Sequence, residues 1–209
     1  MSFKQITLIA ATVMSLGAVA NASAGPAWDF TTAGNSFTNG SWDFGNKFRV
    51  NSDVTVTGLG YYADPSNGFV DANQVALYDS LGNLLASATV NNTYPLFGHF
   101  RFVTVGPVTL HAGQTYQVDG VSHSDNYTWN DAGFATDPSI TYLGNTWQSG
   151  STPDFMPDTK NDVTDGIWGA NVFFGTATFT GQIPEPGSLA LLGLSLVGLL
   201  GCRRKAKQA

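Results

Sequence analysis

Between Lys47 and Asp119, apolar and polar side chains alternate with a period of two, and turn-forming Gly, Asn and Asp interrupt them about every ten residues. No other feature constrains the fold as tightly. Successive side chains of a strand point to opposite faces, so such a period buries one face and wets the other. Residues 47–50 and Val54–Tyr62 alternate in this way, with β-branched and aromatic residues prominent in the second run. Residues 74–79 and 84–90 flank Ser80-Leu81-Gly82-Asn83, which predicts a hairpin with positive φ at Gly82 and Asn83. Residues 99–105, opened by His99, place Phe100, Phe102 and Thr104 on one face and Arg101, Val103 and Val105 on the other. Residues 107–110 lead into a turn at 111–114, and residues 115–119 leave it; residues 167–174 and 176–180 supply the last strands. No helical period and no internal repeat appears. Short strands joined by turns predict an all-β chain, an antiparallel β-sandwich of jelly-roll-like type.

Charge and cysteine usage agree with this expectation. Residues 25–182 number 158, the size of one domain with a substantial core. They contain 14 Asp, no Glu and four basic residues, so the difference is 4 − 14 = −10. Asp bends and caps backbone whereas Glu favours helix, so this acid usage belongs to turns. An acidic body excludes a nucleic-acid partner, which needs basic patches against phosphate. Cys202 is the only cysteine, so the body has no disulfide and depends on its core.

Both ends are apolar. Lys4 precedes an apolar run from Ile6 to Val19, and Ala22-Ser23-Ala24 then supplies the small residues that a signal peptidase needs, with cleavage expected between Ala24 and Gly25. Residues 1–24 therefore read as a signal peptide. The alternative, a buried N-terminal helix, has no polar face to present to water. At the other end, Pro184-Glu185-Pro186 precedes an apolar segment of 13 residues, 189–201, and a basic cluster that includes Arg203, Arg204 and Lys205. As a helix the run spans about 20 Å, short of the ~30 Å hydrocarbon core. Snorkelling basic side chains and a thinned bilayer absorb the difference. A C-terminal transmembrane helix is expected, with the basic stop-transfer cluster in the cytoplasm and the body outside. The tail is residues 183–209. Cys202 at the membrane edge is an inert anchor residue or an acylation point.

The order Pro-Glu-Pro, Leu/Gly-rich segment and Arg-rich end resembles the PEP-CTERM sorting signal of Gram-negative bacteria. The resemblance implies recognition of Pro184, Glu185 and Pro186 by an exosortase, a membrane transpeptidase-like enzyme, and release or transfer of the protein to the surface or matrix. The apolar helix would then be a temporary anchor. Proteins with this tail tend to occur in bacteria that make exopolysaccharide and biofilm. A plain membrane anchor on a Pro-rich stalk is the alternative. From Phe44 to Val121 the sequence also resembles a domain of unassigned function found in bacterial surface and PEP-CTERM proteins. The shared segments are Gly45-x-x-Phe48, Val-Thr-Val-Thr-Gly-Leu-Gly-Tyr, Val-Ala-Leu-Tyr-Asp and Pro-Val-Thr-Leu-x-Ala-Gly-Gln-Thr-Tyr. It implies a β-sandwich and carries no catalytic residues.

The residue inventory argues against an enzyme. A glycosidase needs two carboxylates facing across a bond, and no strand-end Asp pair stands out. His99, His111 and His123 are expected at the surface, and Ser122-His123-Ser124-Asp125 holds triad residue types that are neighbours only in sequence. No cofactor is expected, though Asp64, Asn67 and Asp71 gather oxygen donors in one loop and leave calcium open. Trp129 and Trp147 are candidates for stacking on a sugar, while Trp168 is assigned to the core. The sequence thus predicts a non-enzymatic surface or matrix protein associated with extracellular polysaccharide. A lectin-like carbohydrate-binding module is the alternative.

Overall fold

A computed structural model describes residues 24–66, 69–158 and 169–175. The signal segment up to Ser23 and the sorting tail, with Ala22, Pro184, Glu185, Pro186, Arg203, Arg204 and Lys205, lie outside the described residues. So do Asn67, Trp168 and the expected strand at 176–180.

The elements are β1 (Gly25–Pro26), β2 (Trp28–Asp29), β3 (Asn35–Phe37), β4 (Trp42–Val50), β5 (Val54–Tyr62), β6 (Asn73–Asp79) and β7 (Leu84–Val90). They continue as β8 (Leu96–Phe97), β9 (Phe100–Leu110), β10 (Thr115–Val121), β11 (Tyr127–Trp129), β12 (Ala135–Thr136), β13 (Ile140–Ser149) and β14 (Ala170–Phe174). One sheet has the order β1-β14-β5-β9-β8 and the other β13-β4-β10-β6-β7, with every pairing antiparallel. The chain changes sheet between β4 and β5, β5 and β6, β7 and β8, and β9 and β10, while β6–β7 is a hairpin within one sheet. With β8 and β13 set aside as additions at the edges, β1-β14-β5-β9 faces β4-β10-β6-β7, the arrangement of a jelly roll. The expected all-β sandwich is the fold.

Alternation along the strands fills the space between the sheets. Phe48, Val75, Leu77 and Val118 come from one sheet, and Leu59, Phe100, Phe102, Val172 and Phe174 from the other; all are buried. Each large side chain removed from water contributes about 1.5–3 kcal/mol, which a body without disulfides needs. Strands β5 and β7 keep the limits read from the sequence. The β6–β7 turn corrects one detail: Gly82 has φ +82°, but Asn83 is not left-handed. Asn83 instead donates to Asp79, from its backbone N to Oδ1 at 2.9 Å and from Nδ2 to Oδ2 at 2.8 Å. That Asx-type closure leaves a single residue in the strained region. His99 lies in the turn before β9 rather than opening the strand.

Candidate functional site

Strand β5 has two ends with different surroundings. At its start, Gly25 pairs with Phe174, Phe174 pairs with Val56, and the Gly175 amide donates to the Thr55 carbonyl at 3.0 Å. The described chain therefore enters and leaves side by side at one edge. At the finish of β5, the ribbon of β3 and β11 leans on Tyr62 and Asp64. Ser36 Oγ lies 3.4 Å from the Tyr62 hydroxyl and donates to Asp64 Oδ2 at 2.6 Å. The two ends of β5 are separated by roughly 26 Å at the rise of a strand.

An aromatic cluster occupies this second end. Phe37, 41% exposed, meets Trp129 edge-on at 4.9 Å and Tyr127 at 5.3 Å. Tyr127 continues to Phe44 at 4.6 Å, and Phe44 stacks with Trp42 at 6.3 Å. Asn39 Oδ1 holds the cluster by accepting from Trp42 Nε1 at 2.7 Å and from the Tyr127 hydroxyl at 2.9 Å. Burial pushes the Tyr127 phenol up from its ordinary pKa. The half-buried Trp129 sits at the end of strand β11. Trp147 is half-buried on β13, directly opposite Phe44 in the β4–β13 register. Phe44 thus neighbours Trp147 across the β4–β13 register and reaches Trp129 through Tyr127, whose ring lies 5.8 Å from that of Trp129. Partly exposed rings edged by amide side chains suit a ligand with apolar faces and hydroxyl rims.

The acidic loop beside this cluster is a tied structure. Asp64 Oδ1 accepts from the Ser66 amide and hydroxyl at 2.7 Å each, and Oδ2 also accepts from Asn126 Nδ2 at 2.7 Å. Burial pushes the Asp64 carboxyl up, but hydrogen bonds from Ser36, Asn126 and Ser66 outweigh it and hold the group at about 2. Asp71 accepts from the hydroxyl and the amide of Ser124, the latter at 2.8 Å, and these bonds hold it below the usual carboxylate range. Asp125 accepts from the Val70 amide at 2.6 Å, the Asp71 amide at 3.1 Å and Asn73 Nδ2 at 2.9 Å. Asp64 and Asp71 are therefore engaged with different partners. No group of three His, Cys, Asp or Glu side chains among the described residues converges as metal ligands.

The triad-like run has no triad geometry. Ser122 Oγ donates to the Gly40 carbonyl, His123 adopts φ +47°, and Asp125 points into the loop just described. His99 is more embedded than a surface histidine: its ring stacks on Phe30 at 4.1 Å, and Nδ1 lies 2.8 Å from Asp29 Oδ1.

Sequence reasoning missed a pair of buried acids on the outer face of the β13-β4-β10-β6-β7 sheet. Asp43 on β4 and Asp119 on β10 are fully buried. Asp119 stands over Gly45, where any Cβ would come within 2.1 Å of its Oδ1. Burial pushes Asp43 up to about 7, against the opposing hydrogen bonds from Asp154 and Gln148. Burial, with Asp43 nearby, pushes Asp119 up as well. Residues 150–158 cover both acids, so the pair faces no open cleft. In the sequence Asp119 stood at an alternating polar position, which for an uncovered sheet is the wet face, and Asp43 lay before the first run that alternation marks.

A family model described as a domain of unknown function (DUF4082) matches residues 30–174, and a model of the PEP-CTERM protein-sorting motif matches residues 182–205. No curated protein matches the chain.

Proposed function

The chain belongs to the DUF4082 family, and from that premise, with the PEP-CTERM motif behind the domain, we propose a non-enzymatic surface protein that associates with extracellular polysaccharide in a structural or adhesive role. The sorting motif makes the chain an exosortase substrate, exported and held as a membrane-anchored intermediate during processing. Signal peptidase acts at the other end, and the final location is the cell surface or its matrix.

The supporting observation is the opposition of two features across β5. The segments leading to both membrane-directed ends depart at Ala24 and Gly175, while the Phe37–Trp129 rings lie at the far end of the sandwich. A body tethered at the first end presents the second to the matrix. The ring pair also favours a second, lectin-like reading in which binding is confined to one site.

Co-sedimentation of the mature chain with insoluble cellulose and with chitin tests both. Binding to either polymer is expected. Saturable binding that falls about tenfold in Trp129→Ala or Phe37→Ala, a loss of about 1.4 kcal/mol, assigns a defined site. Weak, unsaturated binding indifferent to both substitutions supports passive association. No retention on either polymer overturns the polysaccharide reading.

A further inference from the structure

Residues 150–158 lie as a strap across the outer face of the β13-β4-β10-β6-β7 sheet. Ser41 Oγ donates to the Gly150 carbonyl at 2.6 Å, and the Tyr78 hydroxyl donates to the Pro153 carbonyl at 2.5 Å. Asp154 N donates to Asp43 Oδ2 at 2.8 Å, and Lys47 Nζ donates to the Pro157 carbonyl. The Phe155 ring packs on Tyr78 at 5.9 Å, and Met156 is buried over Thr146.

The strap closes over Asp43 and Asp119 without supplying either acid with a hydrogen-bonded cation. Asp119 receives Gln117 Nε2 on both oxygens, at 2.8 and 2.9 Å. Among the described residues, Asp43 Oδ1 and Gln117 Oε1 are buried acceptors with no donor. One orphan is a carboxyl oxygen of Asp43 itself and the other is the amide oxygen of the Gln117 that holds Asp119; what the site lacks is an O–H, which a carboxyl supplies only when protonated. Burying both as unpaired anions would cost several kcal/mol.

We propose that residues 150–158 act as a proton-operated clasp, shut while the Asp43–Asp119 pair carries protons and loosened once both side chains are charged. The surrounding groups set its direction. On β4, Lys47 favours the charged form of Asp119 but also holds Pro157. Strand β6 contributes Tyr78, whose phenol burial pushes up to about 12 and which therefore stays neutral. The strap brings Asp154 and Asp158, and of these Asp154 adds to the repulsion on both buried acids. Strand β13 presents the neutral Thr146 and Gln148, and Tyr61 lies behind the sheet with a phenol that burial pushes well up. Apart from Lys47, nothing named here offsets a second negative charge. Loosening frees Pro153 from the groove it shares with Gln74, Ala76, Tyr78, Leu84 and Ser87, a cavity of about 340 Å³.

Hydrogen exchange on the mature chain tests the clasp. The Asp154 amide reports on its closure, and the Ala27 amide, bonded to the Val172 carbonyl at 2.8 Å, serves as the reference for intrinsic pH effects. The protection of Asp154 relative to Ala27 is expected to fall roughly tenfold or more from about pH 5 to about pH 9. Asp43→Asn, which keeps an acceptor for Asp154, is expected to flatten that fall. A flat ratio in the unaltered chain overturns the proposal, as does an undiminished fall in Asp43→Asn combined with Asp119→Asn. Should the double variant fail to fold, carbon NMR of the Asp carboxyls in the unaltered chain decides. Titration of both acids near the ordinary value of about 4 overturns the clasp, and titration well above it supports the clasp.

Discussion

A buried acid with a raised pKa makes stability depend on pH in a fixed direction. Asp43 holds its proton up to about 7 in the folded chain and only to its ordinary value of 3.8 when unfolded. Between these values the folded state binds more protons, so stability falls as pH rises through that window and is level above it. Three units correspond to a loss of up to about 4 kcal/mol. Asp43→Asn removes the ionisation while keeping the shape. Urea unfolding should find this variant more stable than the unaltered chain near pH 8 and little different near pH 4. Asp64 has the opposite sign. Held at about 2 by its donors, it supports the fold above its unfolded value and loses that support as pH falls towards 2. Combined, the two acids produce a maximum of stability on the acidic side of neutrality.

At the scale of elements, carboxylates do the joining that disulfides do in other exported domains. Asp125 fixes the loop between β5 and β6 by accepting from Val70, Asp71 and the buried Asn73. Asp125→Ala should cost about 1–3 kcal/mol, because it leaves a buried amide without an acceptor. Limited proteolysis of this variant should show new cleavage within residues 64–73. Such elements were unevenly legible in the sequence. Strands β5 and β7 could be read to the residue because alternation and β-branched side chains coincide in them. Strand β13 was overlooked: Gly144 and Asn145 interrupt it, and its register shifts between Tyr142 and Gly144. The first half of β4 was hidden in the same way, since Asp43, Gly45 and Asn46 are poor strand formers. They are tolerated because Asp119 fills the space above Gly45 and the strap covers Asp43. Trp129 and Trp147 could be singled out by residue type. The placing of Trp147 opposite Phe44 could not, because it depends on a β4–β13 pairing about 100 residues apart in the chain.

At the scale of the molecule, the sorting motif and the fold meet a short distance beyond Gly175. Mass spectrometry of the surface-released protein should find a C-terminus close to Pro184–Pro186. Recovery of an intact Arg203–Lys205 end from the extracellular fraction would contradict exosortase processing. The neighbouring pair of Gly25 and Phe174 bears on timing as well as on geometry. The sheet is finished by the meeting of the first residues of the mature body with nearly the last. A polypeptide threaded outward from its leading end therefore cannot seal this seam until almost all of it has emerged. The architecture delays its own completion.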